Sequence, residues 1–164
     1  MDVKIKKIEK EYIEGFCNAV NSVAAEKKYI LTLEPHPFEK MEAFANKNID
    51  NNYAQYVALL DGQVIGWADI VPHSYSTMAH VGQLGMGVLN EYRGQGIGRK
   101  LLSAVVNHAF ESGLTRLELE VFSDNHIAIS LYESMGFKTE GEKINARMVD
   151  GEYQNISIMA KFTN

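Results

Sequence analysis

The sequence predicts a mixed α/β (α+β) fold: one mostly antiparallel central sheet containing a splayed parallel strand pair, with about four helices around it. Three observations carry this prediction. Asp61-Gly62 and Asp150-Gly151 each separate two strand-like runs, the strongest short hairpin signal. Residues 79–121 read strand, loop, helix, strand, the length of a right-handed parallel βαβ unit. Gly85 and Gly87 interrupt the first strand of that unit, where glycine marks a bulge or a close backbone approach. A strand of this kind is expected to splay from 117–121 and expose backbone groups around Met86, Gly87 and Val88.

Taken in order, residues 2–8 alternate as a first strand, and 9–28 read as a helix. Tyr12, Ile13, Phe16, Ala19, Val20 and Val23 fall on one face of that helix. Pro35 and Pro37 cannot continue it. A short helix follows at 38–46, with Phe38, Met41 and Phe44 or Ala45 as its buried side, and the polar run 46–52 is a loop. Residues 53–60 and 63–71 are the arms of the first hairpin, with Trp67 packed in the core. After the strand at 79–89, a helix over 98–112 gathers Leu101, Leu102, Val105, Val106, Ala109 and Phe110 on one stripe, and Gly113 ends it. Leu117, Leu119 and Val121 alternate with Glu118 and Glu120 as a half-buried strand. Ser123 or Asp124 caps a last helix over 125–135, stopped by Gly136, and the tail from 137 to 162 is the second hairpin.

A chain of 164 residues suits a single domain, expected here over 1–164, and 46% hydrophobic with 23% charged residues is a globular balance. No apolar run approaches the ~20 residues that span a bilayer, and Met-Asp-Val-Lys-Ile-Lys-Lys has no apolar signal core. The one cysteine, Cys17, excludes an internal disulfide, fits a reducing cytoplasm, and reads as a small buried hydrophobe. A net charge of −5 argues against nucleic acid and is compatible with a cationic amine as substrate. The five histidines show no metal-ligand spacing.

Residues 93–98, Arg-Gly-Gln-Gly-Ile-Gly, stand between a strand and a helix start. Glycine lets backbone approach closely, the amides point outward, and the helix dipole favours an anion, so the loop reads as a phosphate cradle. No glycine precedes a lysine, which excludes a Walker loop, and the spacing Gly94, Gly96, Gly98 lacks the third glycine of a dinucleotide fingerprint. A plain glycine-rich turn is the bland alternative, against which stand three glycines flanked by Arg93, Arg99 and Lys100.

At these residues the chain resembles the GCN5-related N-acetyltransferase superfamily, whose acetyl-CoA loop reads Gln/Arg-x-x-Gly-x-Gly/Ala. Arg93, Gly96 and Gly98 occupy the fixed positions, and the likeness continues through Asn125, Ala128, Tyr132 and Gly136-Phe137, covering residues 79–162. The resemblance implies acetyl-CoA as cofactor, with Arg93, Gly94, Gln95, Gly96, Ile97, Gly98 and Arg99 around its pyrophosphate. It implies that Met86, Gly87 and Val88 pair with the pantetheine arm as an added strand would, that Asn125 and Ala128 contact the arm, and that Tyr132 is the general acid at the sulfur. A helix cap and a buried structural tyrosine are the bland readings of Asn125 and Tyr132. The family's usual glutamate base aligns with Gln83, which takes no proton at neutral pH; Glu34, His73, His80 and water stay open as routes. The pattern around 149–153, followed by Met159, looks like the branch that modifies free amino acids, amino-acid-like toxins or protein N-termini. Tyr29, Glu34, Phe38 and Gln83 are the expected acceptor contacts, and the partner is a small-molecule or peptide amine. A non-catalytic acyl-CoA-binding or sensing domain is the rival function. Dimers are common among relatives, and the sequence leaves a homodimer open.

Overall fold

A computed structural model describes residues 1–163. Its elements are β1 (Lys4–Lys7), α1 (Ile13–Ala25), α2 (Phe38–Asp50), β2 (Ala54–Leu60), β3 (Gln63–Pro72), β4 (Val81–Val88), α3 (Ile97–Glu111), β5 (Arg116–Phe122), α4 (His126–Ser134), β6 (Lys138–Val149) and β7 (Glu152–Phe162). The seven strands form one sheet in the order β1-β2-β3-β4-β5-β7-β6. Every neighbouring pair is antiparallel except β4 and β5. Both Asp-Gly hairpins have positive φ at their two central residues, 48° and 80° at Asp61-Gly62 and 51° and 80° at Asp150-Gly151. That is the backbone twist a two-residue hairpin needs.

Alternation along the strands divides the core into two layers. Ala58 of β2 and Ala68 and Ile70 of β3 face α3, which buries Leu101, Leu102, Val105 and Ala109 against them. Val57, Leu59 and Trp67 face the opposite way and pack with Phe16, Val20 and Met41 of α1 and α2. The cap of α4 is Asn125 and not Ser123 or Asp124, α3 and α4 shift by a residue at their ends, and two helices differ more from the sequence reading. The first helix starts at Ile13, after a 3-10 turn over Lys10–Tyr12, and ends at Ala25. The second runs on to Asp50 through residues whose composition reads as loop. Its extension is held by tertiary contact: Asn48 is buried, and its Nδ2 donates to Gln55 Oε1 on β2 at 2.8 Å.

The parallel pair splays after three residue pairs, Val81–Arg116, Gly82–Leu117 and Gln83–Glu118. Beyond that point β4 stays paired with β3 as far as Val88, and β5 with β7 as far as Phe122. Residues 84–88 therefore present a free backbone edge inside the sheet. The β3–β4 register is unbroken, so Gly85 and Gly87 mark close approaches and not a bulge. A Cβ on Gly87 would stand 2.4 Å from Trp67 Cη2, and one on Gly85 would stand 3.4 Å from Asp69 Oδ1. The Trp67 ring crosses over Gly87, where only glycine leaves it room, whereas Asp69 meets Gly85 at an ordinary contact distance. Among the described residues no helix is long and apolar enough to cross a membrane.

Candidate active site

The divergence of β4 and β5 opens a cleft of about 600 Å³. One wall is the free edge of β4, the other Glu120, Val121 and Phe122 of β5. The loop before α3 and the first turns of α4 close one end, and residues 29–31 cross the other side.

Gly94 and Gly96 take left-handed φ of 74° and 78°. Gly96 is the N-cap of α3 and supplies no side chain, so the first-turn N–H groups of the helix have no intrahelical partner. Nothing lies within 4 Å of a Cβ built on either glycine, which leaves the approach to those amides clear. Convergent donors at a helix N-terminus suit a diphosphate. The unpaired edge of β4 suits a chain bearing amides, added as a strand would be. The site thus fits both ends of a coenzyme A molecule.

Arg93 does a different job from the glycines. Its Nη1 and Nη2 donate to the Glu26 carboxylate at 2.8 and 2.6 Å, its Nε donates to the Val88 carbonyl at 2.8 Å, and its guanidinium lies 4.5 Å from the Tyr29 ring centre. It locks the loop to the end of α1 and occupies one of the β4 carbonyls. Arg99 ties α3 to α4 through a 2.8 Å bond to Ser134 Oγ.

Asn125 caps α4, its side-chain oxygen accepting the Ala128 N–H at 3.2 Å, and both residues line the cleft. Tyr132 is 8% exposed, packs edge-to-face on Phe137 at 5.9 Å, and also lines the cleft. Burial pushes its hydroxyl up to about 12, so it keeps its proton at neutral pH.

Met86, Gly87, Val88, Arg93, Gly94, Gly96, Ile97, Gly98, Arg99, Asn125, Ala128, Tyr132, Tyr29 and Gln83 all line this one cleft. Gln95, Glu34 and Phe38 do not; all three are exposed, Phe38 at the first residue of α2. His73 Nε2 is bound to Glu118 Oε1 at 2.9 Å, and His80 is exposed, so neither reaches the cleft lining.

Two charged residues escaped the sequence reading. Neither is itself a cleft-lining residue: Asp69 is 9% exposed and lies beside Gly85, which does line the cleft. Arg147 is 8% exposed, the one buried residue of β6, while Ile144 and Met148 on the same strand face out at 66% and 60%. It follows a bulge in which three residues of β6 oppose Asn155 alone. Its guanidinium stacks 4.5 Å from the ring centre of Phe122, a cleft residue, and donates to Gln154 Oε1 at 3.1 Å and the Lys27 carbonyl at 3.3 Å. Among the described residues no carboxylate lies within 4.0 Å of it. No group of three or more His, Cys, Asp or Glu residues is gathered as for a metal among the described residues.

Comparison with known proteins agrees with this geometry. Residues 18–137 match the model of the acetyltransferase (GNAT) family. The chain is 30% identical over 148 residues to an L-amino acid N-acetyltransferase, AaaT, of Escherichia coli K12, covering 87% of this chain and 90% of that protein. It is 27% identical over 130 residues to spermidine N(1)-acetyltransferase of Vibrio cholerae, covering 77% and 74%. The yncA structure from Salmonella typhimurium, described with its cofactor acetyl-CoA, superposes with a TM-score of 0.94 at 19% identity over 100% of this chain and 95% of that one. The chain is a member of the GNAT acetyltransferase family, an acetyl-CoA-dependent N-acyltransferase acting on amines.

Proposed function

We propose that the acceptor is a free α-amino acid or a close analogue, acetylated on its amine by direct attack. Acetyl-CoA supplies the thioester carbonyl that the amine attacks and the thiolate that leaves as the C–S bond breaks. The loop amides at Gly94, Gly96 and Gly98 hold the phosphate end, and the edge of β4 around Met86 and Gly87 holds the amide-bearing arm. Tyr132, protonated and next to Asn125 and Ala128 in the cleft wall, donates its proton to the departing sulfur. Direct attack is favoured over an acyl-enzyme because Cys17, the one cysteine, is 4% exposed in the α1 core and absent from the cleft lining.

The observation that carries the acceptor class is Arg147, a buried guanidinium with no carboxylate partner among the described residues, stacked on a residue of the cleft wall. A buried charge is costly unless compensated, and a planar guanidinium matches a carboxylate in two parallel hydrogen bonds. A free amino acid brings that carboxylate; the N-terminus of a peptide does not. The likeness to a relative named for L-amino acids supports the same reading.

The test is a panel of amines assayed by thiol release, comparing each amino acid with its decarboxylated amine. Loss of a charge-assisted hydrogen-bonded pair costs about 1.5–3 kcal/mol, so Arg147→Gln should raise KM for amino acids about 10- to 100-fold. The decarboxylated amines should be unaffected. Equal turnover of the two classes by the wild-type enzyme would sink the proposal.

A further inference from the structure

We propose that Asp69 is the general base of the reaction, accepting the proton that the amine loses as its nitrogen bonds to the acyl carbon. This rests on the direct-attack reading above and supplies the proton acceptor that Gln83 does not.

Three strands bring the carboxylate to this spot. Gln55 of β2, Asp69 of β3 and Gly85 of β4 stand directly opposite one another across the sheet, so their side-chain positions share a face. It is the α1–α2 face, shared with Trp67 two residues earlier, and residues 29–31 cross the cleft on that side. Tyr132 belongs to the opposite layer, with Leu119 and Phe137. The proton acceptor and the proton donor thus lie on the two sides of the sheet, with the free edge of β4 between them. An amine arriving from the α1–α2 side loses its proton there, and the sulfur leaves toward the α3–α4 side, where Tyr132 protonates it.

Gly85 lines the cleft and has no side chain to shield the carboxylate; Asp69 Oδ1 lies 3.4 Å from where its Cβ would be. Asp69 is not itself a lining residue, so its oxygen sits one layer behind Gly85, and the proton reaches it through one water across the gap that the missing side chain leaves.

The carboxylate is also uncompensated. Burial alone raises it, to about 7, and no hydrogen bond or neighbouring charge contributes. The residues in register with it carry no charge: Gln55 on β2 and Gly85 on β4, with Gln83 two residues along the same face of β4, and no charged group contributes to the shift. The charged side chains elsewhere around the cleft have other partners. Glu118 binds His73 and Arg116, Glu120 binds Lys143, Arg93 binds Glu26, and Arg147 stacks on Phe122. Behind Asp69, Gln55 Oε1 accepts from Asn48 while Gln55 Nε2 is buried without a partner. Because Gln55 stands in register with Asp69, this free N–H is placed to steady the ionised carboxylate before it accepts the proton.

The test uses the full chain, acetyl-CoA and whichever amine turns over fastest. Asp69→Asn should lower kcat/KM for the amine about 100-fold or more, since general-base catalysis contributes about 10²–10⁴-fold. It should also remove the inflection near pH 7 from the acidic side of the profile, leaving the one set by ionisation of the amine itself, and leave acetyl-CoA affinity by calorimetry unchanged. A carboxyl whose pKa is higher folded than unfolded makes stability fall as pH rises from about 4 to about 7. Asp69→Asn should flatten that slope, which separates a titrating carboxylate from simple loss of fold. A variant within threefold of wild type, or one that keeps the inflection near pH 7, would overturn the proposal. Failure of the amino-acid reading is a separate result, because it shows as the wrong amine turning over while the Asp69 comparison stands.

Discussion

Gly87→Ala is the sharpest test of the idea that β4 carries glycine there to let the Trp67 ring cross it. An added Cβ would lie 2.4, 2.7 and 2.9 Å from Cη2, Cζ3 and Cζ2 of Trp67, about 1 Å short of ordinary contact at the nearest atom. The indole has little room to retreat, being 4% exposed and packed edge-on to Phe16 at 6.3 Å. Overpacking costs about 1–3 kcal/mol, and a rigid ring against a paired strand belongs at the upper end, near 3. For a chain of this size each kcal/mol moves Tm by about 2–4 °C, so Gly87→Ala should melt about 6–12 °C low. Gly85→Ala is the internal control, on the same face two residues away. Its Cβ meets Asp69 Oδ1 at 3.4 Å, an ordinary contact, so stability should stay within about 1 kcal/mol. Its turnover should still fall, because the new methyl stands between the carboxylate and the cleft. Calorimetric melting of both variants, with Trp67→Phe alone and combined with Gly87→Ala, measures the coupling. The smaller ring should recover at least about 1 kcal/mol in the double variant. A Gly87→Ala protein within 0.5 kcal/mol of wild type, or a Gly85→Ala protein equally damaged, would refute the reasoning.

Gly96→Val should weaken acetyl-CoA binding at least tenfold by titration calorimetry, because a β-branched residue resists φ of 78° and its side chain enters the open space before the loop amides. Unchanged affinity would remove the loop from the donor site. Tyr132→Phe should cut kcat by about 10²-fold while acetyl-CoA affinity stays within a factor of about two, and an unchanged maximal rate would remove Tyr132 as the acid.

How far the sequence could be read follows from what each feature depends on. The loop at 93–98, the stripe on α3 and the two Asp-Gly turns are local patterns, and they stand where local rules put them. The glycines of β4 were legible as a close approach, but what approaches was not. Trp67 and Asp69 reach them through the β3–β4 register, which no single strand encodes. Asp69 sits in Trp-Ala-Asp-Ile-Val, where an acid in a strand reads as an outward residue. Arg147 turns inward after a bulge that Ile-Asn-Ala-Arg does not announce. The length of α2 depends on Asn48 meeting Gln55, a contact that outweighs the loop propensity of its neighbours. The bond between Arg93 and Glu26 joins residues 67 positions apart, and no motif links them.

That last pair has a consequence for the order of events. Arg93 belongs to the glycine loop, yet its guanidinium is held by the end of α1 and covered by Tyr29, which lines the cleft on the side proposed for the acceptor. The two halves of the cleft therefore share one joint. A ligand that tightens the loop also stiffens the segment after α1, and by linkage an acceptor that orders that segment raises donor affinity by the same free energy. Glu26→Gln severs this joint without touching either reacting group, and donor affinity measured with and without acceptor should differ less in that variant than in wild type.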